Sequence, residues 1–305
     1  MSGAHPIPAW KVVLDGNDLT DRIAPRLLDL TLTENRGDEA DQLDLRIHDH
    51  DGAMALPPRG RTLTVALGWS DSGLVNKGTF VVDDVEHSGA PDILTIRARS
   101  ADLTGAIRRR RERSWHDTTL GRVLDALAGE HALRSAVAAD LASIALPHLD
   151  QANESDINLL TRLAKRFDAV ATVKAGTLIF APIGSGTTPS GTELPGVQIT
   201  RAAGDQHRYA TSDRDSYSGV RAYWTDRGAG RRRGVLVGTD ANEKKLRNTY
   251  SSEAEAKQHA EAEFRRHGRG GATLSYTLAL GRADVYPEQK VEVSGFKPEI
   301  DGTNW

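Results

Sequence analysis

The sequence predicts a mainly β, α+β fold in which two antiparallel β regions flank a small α/β middle domain. Three observations carry that prediction. Apolar and polar residues alternate with a period of two through the first hundred residues. Between Thr118 and Phe167 the apolar residues recur at helical spacing instead. Period two returns beyond a stretch at 184–195 that is rich in Gly, Thr, Ser and Pro. The expected boundaries are residues 1–107 for the first β domain, 108–183 for the middle domain, and 184–305 for a second β domain with one inserted helix. A chain of 305 residues is long for one domain and can bury a sizeable core.

The first region reads as strands. Leu28, Leu30 and Leu32 alternate with Asp29, Thr31 and Thr33, and Leu43, Leu45 and Ile47 with Asp44, Arg46 and His48. Leu63, Val65, Leu67 and Trp69 alternate with Thr64, Ala66 and Gly68, and Leu94, Ile96 and Ala98 with Thr95 and Arg97. Such patterning buries one face and wets the other, as antiparallel sheets do. Turn-forming pairs separate the runs: Asp15-Gly16, Asp51-Gly52, Pro57-Pro58, Ser72-Gly73 and Ser88-Gly89. Several short strands at this spacing predict a barrel or a sandwich.

In the middle region, Asp117 or Thr118 can cap a helix whose apolar stripe is Leu120, Val123, Leu124, Leu127 and Ala128, with Gly129 as its stop. A shorter helical piece is expected over 138–144. Asn153 or Ser155 can cap the next helix, and Glu154 and Asp156 set negative charge at the positive end of its dipole. Ile157, Leu160, Leu163, Ala164 and Phe167 form its stripe. Val170, Thr172 and Lys174 then run to a turn at Ala175-Gly176, and Leu178-Ile179-Phe180 returns as a strand.

Beyond the linker at 184–195, Val220, Ala222 and Trp224 alternate, as do Leu274, Tyr276, Leu278 and Leu280, and Val291 with Val293. Ser252 and Glu255 have capping-box spacing ahead of an Ala-, Glu- and Lys-rich helix running to His267.

Composition excludes several classes of function. Only 38% of residues are hydrophobic, and mean hydropathy is −0.46. No stretch approaches the length that crosses a bilayer, so no membrane insertion is expected. The opening residues MSGAHPIPAW lack a basic start followed by an apolar run, so no secretory signal is expected, and synthesis in a bacterial cytoplasm is. The absence of cysteine excludes disulfides and thiolate metal sites. A net charge of −3 gives no overall bias toward nucleic acid or anionic membranes.

The search for chemistry yields little. His48-Asp49-His50-Asp51 has the composition of a metal site, but the following Gly52-Ala53 favours a solvated turn. Asp83, Asp84 and Glu86 could make an acid pair; adjacent strand residues diverge, so a charged β edge is the better reading. Trp115-His116-Asp117 puts a histidine at an expected helix start, where capping and packing explain it. Gly184-Ser185-Gly186 is followed by Thr and Pro rather than a helix and reads as linker. No nucleophile elbow, H-E-x-x-H, Walker loop or dinucleotide fingerprint occurs. No catalytic residue, metal or cofactor is expected. Two basic runs stand out, Arg108, Arg109, Arg110 and Arg111 with Arg113, and Arg231, Arg232 and Arg233. They can face phosphates or pair with a partner's carboxylates, but the interleaved aromatics of a single-strand platform are missing.

The order Gln151, Asn153-Glu154-Ser155-Asp156, Leu160, Arg162-Leu163-Ala164 and Gly176-Thr177-Leu178-Ile179-Phe180 resembles the phage late-control protein D family. Arg113-Ser114-Trp115, Gly295-Phe296-Lys297 and Asp301-Gly302-Thr303-Asn304-Trp305 fit the same family. The resemblance spans essentially the whole chain, specifically in the middle and loosely in the first hundred residues. It implies a tail hub of a contractile-tailed phage or prophage, similar to the N-terminal part of type VI secretion spike proteins. Both β domains would then be tail-tube-like antiparallel barrels, and three copies would present six of them, matching a sixfold tube to a threefold spike. The implied partners are sister copies in a homotrimer, the spike, the tube, the tape-measure protein and other baseplate proteins, with DNA passing through the lumen and the two arginine runs facing a partner or that lumen. The implied location is the virion tail baseplate. The family continues past Trp305, so a truncated last barrel is expected. Two other classes compete: a tail-associated peptidoglycan hydrolase, which needs two carboxylates across a cleft, and a DNA-binding regulator, which lacks a helix-turn-helix here.

Overall fold

In the computed structural model, which describes residues 5–37, 39–100, 105–211, 217–303 and 305, the first β region is a single seven-stranded antiparallel sheet. Its strands are β1 (Pro8–Leu14), β2 (Asn17–Asp18), β3 (Leu27–Thr33), β4 (Gln42–His48), β5 (Thr62–Trp69), β6 (Gly73–Ser88) and β7 (Ile93–Ser100). A single helical turn, α1 (Thr20–Ile23), lies between β2 and β3. The spatial order is β2-β1-β5-β6-β7-β4-β3. The alternation sets the buried face: Leu43, Leu45, Ile47, Leu63, Val65, Leu94, Ile96 and Ala98 all join one core. Leu28 departs from the expected pattern. A register shift between Leu27 and Asp29 turns it outward, and it is 50% exposed.

Five inter-strand steps separate β1 from β3, roughly 24 Å if the sheet were flat. Yet Trp10 of β1 and Leu30 and Leu32 of β3 line the same cleft. The sheet is therefore strongly coiled. Bulges at Val65/Ala66 and Val82/Asp84 increase its twist where β6 passes from β5 to β7. Among the described residues no ladder joins β3 to β1 or β2, so the sheet stays open where the alternation predicts a barrel or sandwich. Asp83, Asp84 and Glu86 lie on β6, between two neighbours rather than at an edge. They pair with Arg99 at 3.0 Å and with Arg97 at 2.6 and 3.5 Å. After β4, Asp49 is buried and accepts the Met54 N–H at 3.0 Å, and Asp51 pairs with Arg26 at 2.5 Å, so the segment is a turn. Among the described residues no group of three or more His, Cys, Asp or Glu could hold a metal ion.

The middle region contains β8 (Arg110–Thr119), α2 (Leu120–Glu130), β9 (Arg134–Val137), α3 (Ala139–Ala142), β10 (Ala145–Ser155), α4 (Asp156–Phe167), β11 (Ala169–Lys174) and β12 (Thr177–Pro182). β8 and β10 form an antiparallel ribbon; β12 pairs antiparallel with β11 and parallel with β9. The cap of α2 is Thr119, whose hydroxyl accepts the Arg122 N–H at 3.4 Å, not Asp117 or Thr118. His116 accordingly sits in β8 rather than at a helix start. Ser155 caps α4, accepting from Asn158 at 3.3 Å, whereas Asn153 adopts a positive φ of 49° in the bulge of β10. Ala175 and Gly176 make the hairpin turn with φ of 50° and 68°. The stripes of α2 and α4 meet β12 in one cluster that includes Leu124, Leu127, Leu163, Phe167 and Phe180.

The last region is divided into small sheets. β13 (Val197–Thr200) pairs with β19 (Val291–Ser294), and β14 (Gly204–Thr211) with β18 (Ala272–Leu278). β15 (Gly219–Asp226) lies between β16 (Arg231–Gly238) and β17 (Glu243–Tyr250). α5 (Glu253–Arg269) covers that sheet through Ala256 and Ala260 against Val220 and Ala222. Ser252 accepts the Glu255 N–H at 3.2 Å, while the Glu255 carboxylate reaches Ser251 rather than Ser252, at 3.2 Å to its N–H. Leu280, expected in a strand, lies past β18 and is 53% exposed. The 184–195 stretch is tied down: Gly184 N–H donates to Glu288 at 2.6 Å and Leu194 N–H to the Gly186 carbonyl at 2.8 Å. In α6 (Pro298–Asp301), Asp301 accepts from the N–H groups of Gly295 and Phe296, both at 3.0 Å, and the Trp305 carbonyl accepts from Val291 at 2.8 Å. Residues 1–4 of the opening segment and Asn304 of the terminal motif lie outside the described residues.

Polar contacts join the regions. Lys77, with only 6% of its side chain exposed, pairs with Glu34 at 2.6 Å and donates to the Ala283 carbonyl at 2.9 Å. Trp69 Nε1 donates to the Gly281 carbonyl at 2.8 Å. Asp168, at the left-handed end of α4, takes Arg265 and Arg269 of α5.

Candidate partner-binding surface

Strand alternation divides the first arginine run. On β8, even positions face outward and odd positions inward, so Arg110, Glu112, Ser114 and His116 are exposed while Arg111, Arg113 and Trp115 are half-buried. Arg108 ends a short helical turn, and Arg109 follows it; both are exposed. Arg110 lines a polar cup of about 410 Å³ with Asp150, Asn153, Glu154, Asn158 and Arg162.

The inward arginines belong to an ion network that the sequence does not announce. Arg111 reaches Glu130 at 2.8 Å and Asp156 at 3.4 Å. Arg113 reaches Glu130 and Asp156, each at 2.5 Å, and donates through Nε to Gln151 at 2.7 Å. His131 Nε2 lies 2.8 Å from Asp156, whose side chain has no exposed surface. Burial pushes the Asp156 carboxyl up, but hydrogen bonds from Gln151 and His131 and the charges of Arg113 and Arg111 outweigh it and hold it below the usual carboxylate range. Arg113 also stacks on Trp115, its guanidinium carbon 4.8 Å from the ring centroid. Arg111 and Arg113 are thus committed within the chain. Glu130 and His131 come from the end of α2, Gln151 from β10 and Asp156 from the start of α4, so only the tertiary arrangement reveals them as partners.

The second run opens β16. Arg231, Arg232 and Arg233 are all exposed, beside a turn at residues 227–230. Arg233 pairs with Asp226 at 2.8 Å, and Arg232 lies over the Tyr223 ring at 3.7 Å. One face of the Arg232 guanidinium is thus covered by the ring and the Nε of Arg233 is paired, while all three residues stay exposed.

Ser114, Asp150 and His148 lie together on the β8–β10 ribbon, but the Ser114 hydroxyl donates to Asp150 at 2.5 Å and not to the imidazole, so the order does not activate a nucleophile.

A family model described as phage tail baseplate hub (GPD) matches residues 40–305. A probable baseplate hub protein of Escherichia phage P2 is 42% identical over 344 residues, covering 100% of this chain and 89% of that protein. One from Escherichia phage 186 is 43% identical over 345 residues, with the same coverage of 100% and 89%. Among solved structures, the 43 kDa tail protein of prophage MuSo2 from Shewanella oneidensis matches with a TM-score of 0.68 at 18% identity, over 98% of this chain and 91% of that one. That last likeness is one of fold.

Proposed function

The chain belongs to the phage tail baseplate hub (GPD) family, and we propose that it joins a sixfold tail tube to a threefold spike as a homotrimer. It is a structural component of a phage tail baseplate. Its work is geometric: to hold β surfaces at a fixed offset and transmit force, in a contractile tail, without turnover. In this reading residues 1–107 and 184–305 are the two tube-like units and residues 108–183 the bridge between them. Three separate apolar clusters, centred on Leu45, Leu124 and Val220, support that division.

The observation that carries the reading is the set of open strand edges. The first sheet ends at β3 and β2, and the β15 sheet ends at β16 and β17. Unpaired N–H and C=O groups on such edges are templates for pairing with another chain. Sister copies, tube, spike, tape-measure and other baseplate proteins are the partners that the family resemblance implies for these edges. The exposed Arg108, Arg109, Arg110, Arg231, Arg232 and Arg233 would face them, or a lumen through which DNA passes, while Arg111 and Arg113 would hold the surface in shape.

Mass in solution, measured with and without the cognate spike protein, tests the proposal. A trimer, alone or on adding the spike, is expected. A strict monomer in both conditions overturns it.

A further inference from the structure

The exposed face of the β8–β10 ribbon carries four polar side chains on two rungs. His116 stands directly opposite His148, and Ser114 directly opposite Asp150. The two imidazoles approach through Nδ1, 3.1 Å apart, with ring centroids 4.7 Å apart. On the far side of His148, Nε2 lies 2.7 Å from Asp150 Oδ2, and Asp150 Oδ1 accepts from the Ser114 hydroxyl at 2.5 Å. The chain of contacts therefore runs Ser114, Asp150, His148, His116.

We propose that His116 and His148 form a surface site for a borderline divalent cation of the zinc or nickel class, each ligating through Nδ1, with Asp150 orienting His148 from behind.

The argument rests on the geometry. The Asp150 carboxylate accepts the Ser114 hydroxyl at Oδ1, which leaves Oδ2 to face His148 Nε2 at 2.7 Å. An anion at Nε2 places the His148 proton there and leaves Nδ1 a lone pair. In the metal-free state His116 donates its Nδ1–H to that lone pair. When a cation enters, the His116 proton moves to its exposed Nε2, and both Nδ1 atoms become ligands with no net proton change in the pair. A metal-bound histidine whose second nitrogen donates to a carboxylate is the recurring arrangement of such sites. Zinc–nitrogen bonds of about 2.0–2.1 Å in tetrahedral geometry place two ligands roughly 3.3 Å apart, so the rings need to open by only about 0.2 Å. Two protein ligands leave the remaining coordination positions to water, so the cation exchanges readily.

His48 and His50 supply the internal control. Their Nδ1 atoms are also 3.1 Å apart, but among the described residues no carboxylate hydrogen-bonds either ring, and the tautomer lock is missing.

The test is a zinc titration of the full chain, labelled with nitrogen-15 histidine and followed by imidazole nitrogen shifts and by calorimetry. The expected result is saturable binding in the micromolar range, with the largest shifts at Nδ1 of His116 and His148. His116→Ala and His148→Ala should each weaken it at least tenfold, Asp150→Asn by roughly 10–100-fold as for other carboxylates behind a ligand, and His48→Ala not at all. All four positions are exposed or half-exposed, and unchanged far-ultraviolet circular dichroism verifies the fold. Binding that survives His116→Ala or His148→Ala, or no saturation below about 1 mM zinc, overturns the proposal.

Discussion

Arg113 and Asp156 lock strand β8 onto the first turn of α4: Nη2 of the arginine lies 2.5 Å from Oδ1 of a carboxylate with no exposed surface. Arg113, like Arg111, comes from the interior-facing side of the run, and Asp156 is the first helical residue after the Ser155 cap. The pair therefore fixes the angle between ribbon and helix, and the middle core of Leu120, Leu159 and Leu163 is built on that angle.

Replacing Asp156 by Ala leaves Arg111 and Arg113 to share Glu130 and takes away the carboxylate beside His131. Urea unfolding should show a loss of about 3–5 kcal/mol, the cost of breaking a buried pair by removing one partner. The same carboxylate has a pH signature. Its folded pKa is depressed, so the unfolded chain binds the proton more readily, and the stabilisation is fully present above the unfolded carboxylate range and lost as pH falls from there through the depressed folded value. Unfolding between about pH 5 and pH 2 should be less steeply pH-dependent in Asp156→Ala than in the parent.

His259 predicts a second, milder pH dependence. Burial, reinforced by the Arg166 charge, pushes its imidazole down from 6.5 to about 4. It stacks on Tyr250 with ring centroids 4.3 Å apart. Between those two values the unfolded chain carries the extra proton, so stability falls as pH drops from 6.5 toward 4. His259→Phe should flatten thermal stability across that window, measured by melting temperature against pH.

Lys77 clasps the first sheet to the segment around Arg282. Lys77→Ala removes the donor to the Ala283 and Val285 carbonyls and leaves Glu34 without its cation. Local opening should become easier by about 1–3 kcal/mol. Trypsin should then cleave after Arg282 roughly ten times faster or more, with little change in the melting temperature of the middle region.

The exposed arginines should matter to assembly and not to folding. Charge reversal at Arg109 and Arg110, or at Arg231 and Arg232, is expected to leave the melting temperature within about 0.5 kcal/mol equivalent of the parent. The same variants should lose co-purification with baseplate partners, and the difference from the parent should be largest at low salt, where exposed charges are least screened. Arg113→Glu should instead unfold the middle region, which separates the two classes of arginine.

Much of this molecule is readable from neighbouring residues. The alternation of Leu43, Leu45 and Ile47, the cap at Ser155, the hairpin turn at Ala175-Gly176 and the helix start at Ser252 all appear as expected. Each is a property of a few consecutive residues, where period, capping chemistry and positive φ act locally. Leu28 departs because a bulge after Leu27 resets the register, an event governed by the partner strand.

Although β8 runs through His116 and β18 ends before Leu280, the strand face of Leu43, Leu45 and Ile47 and the helical stripes of Leu120, Val123, Leu124 and Leu127 and of Leu160, Leu163 and Phe167 follow from the residue order alone. The pairing of charges does not. Arg113 finds Asp156 43 positions away, and His116 finds His148 32 positions away, because the ribbon register brings them together. Whether the first sheet closes was likewise decided in three dimensions, by coiling that brings Trp10 beside Leu30 without a ladder between their strands. Period reports which way a side chain points; only the packing of distant segments determines what it meets.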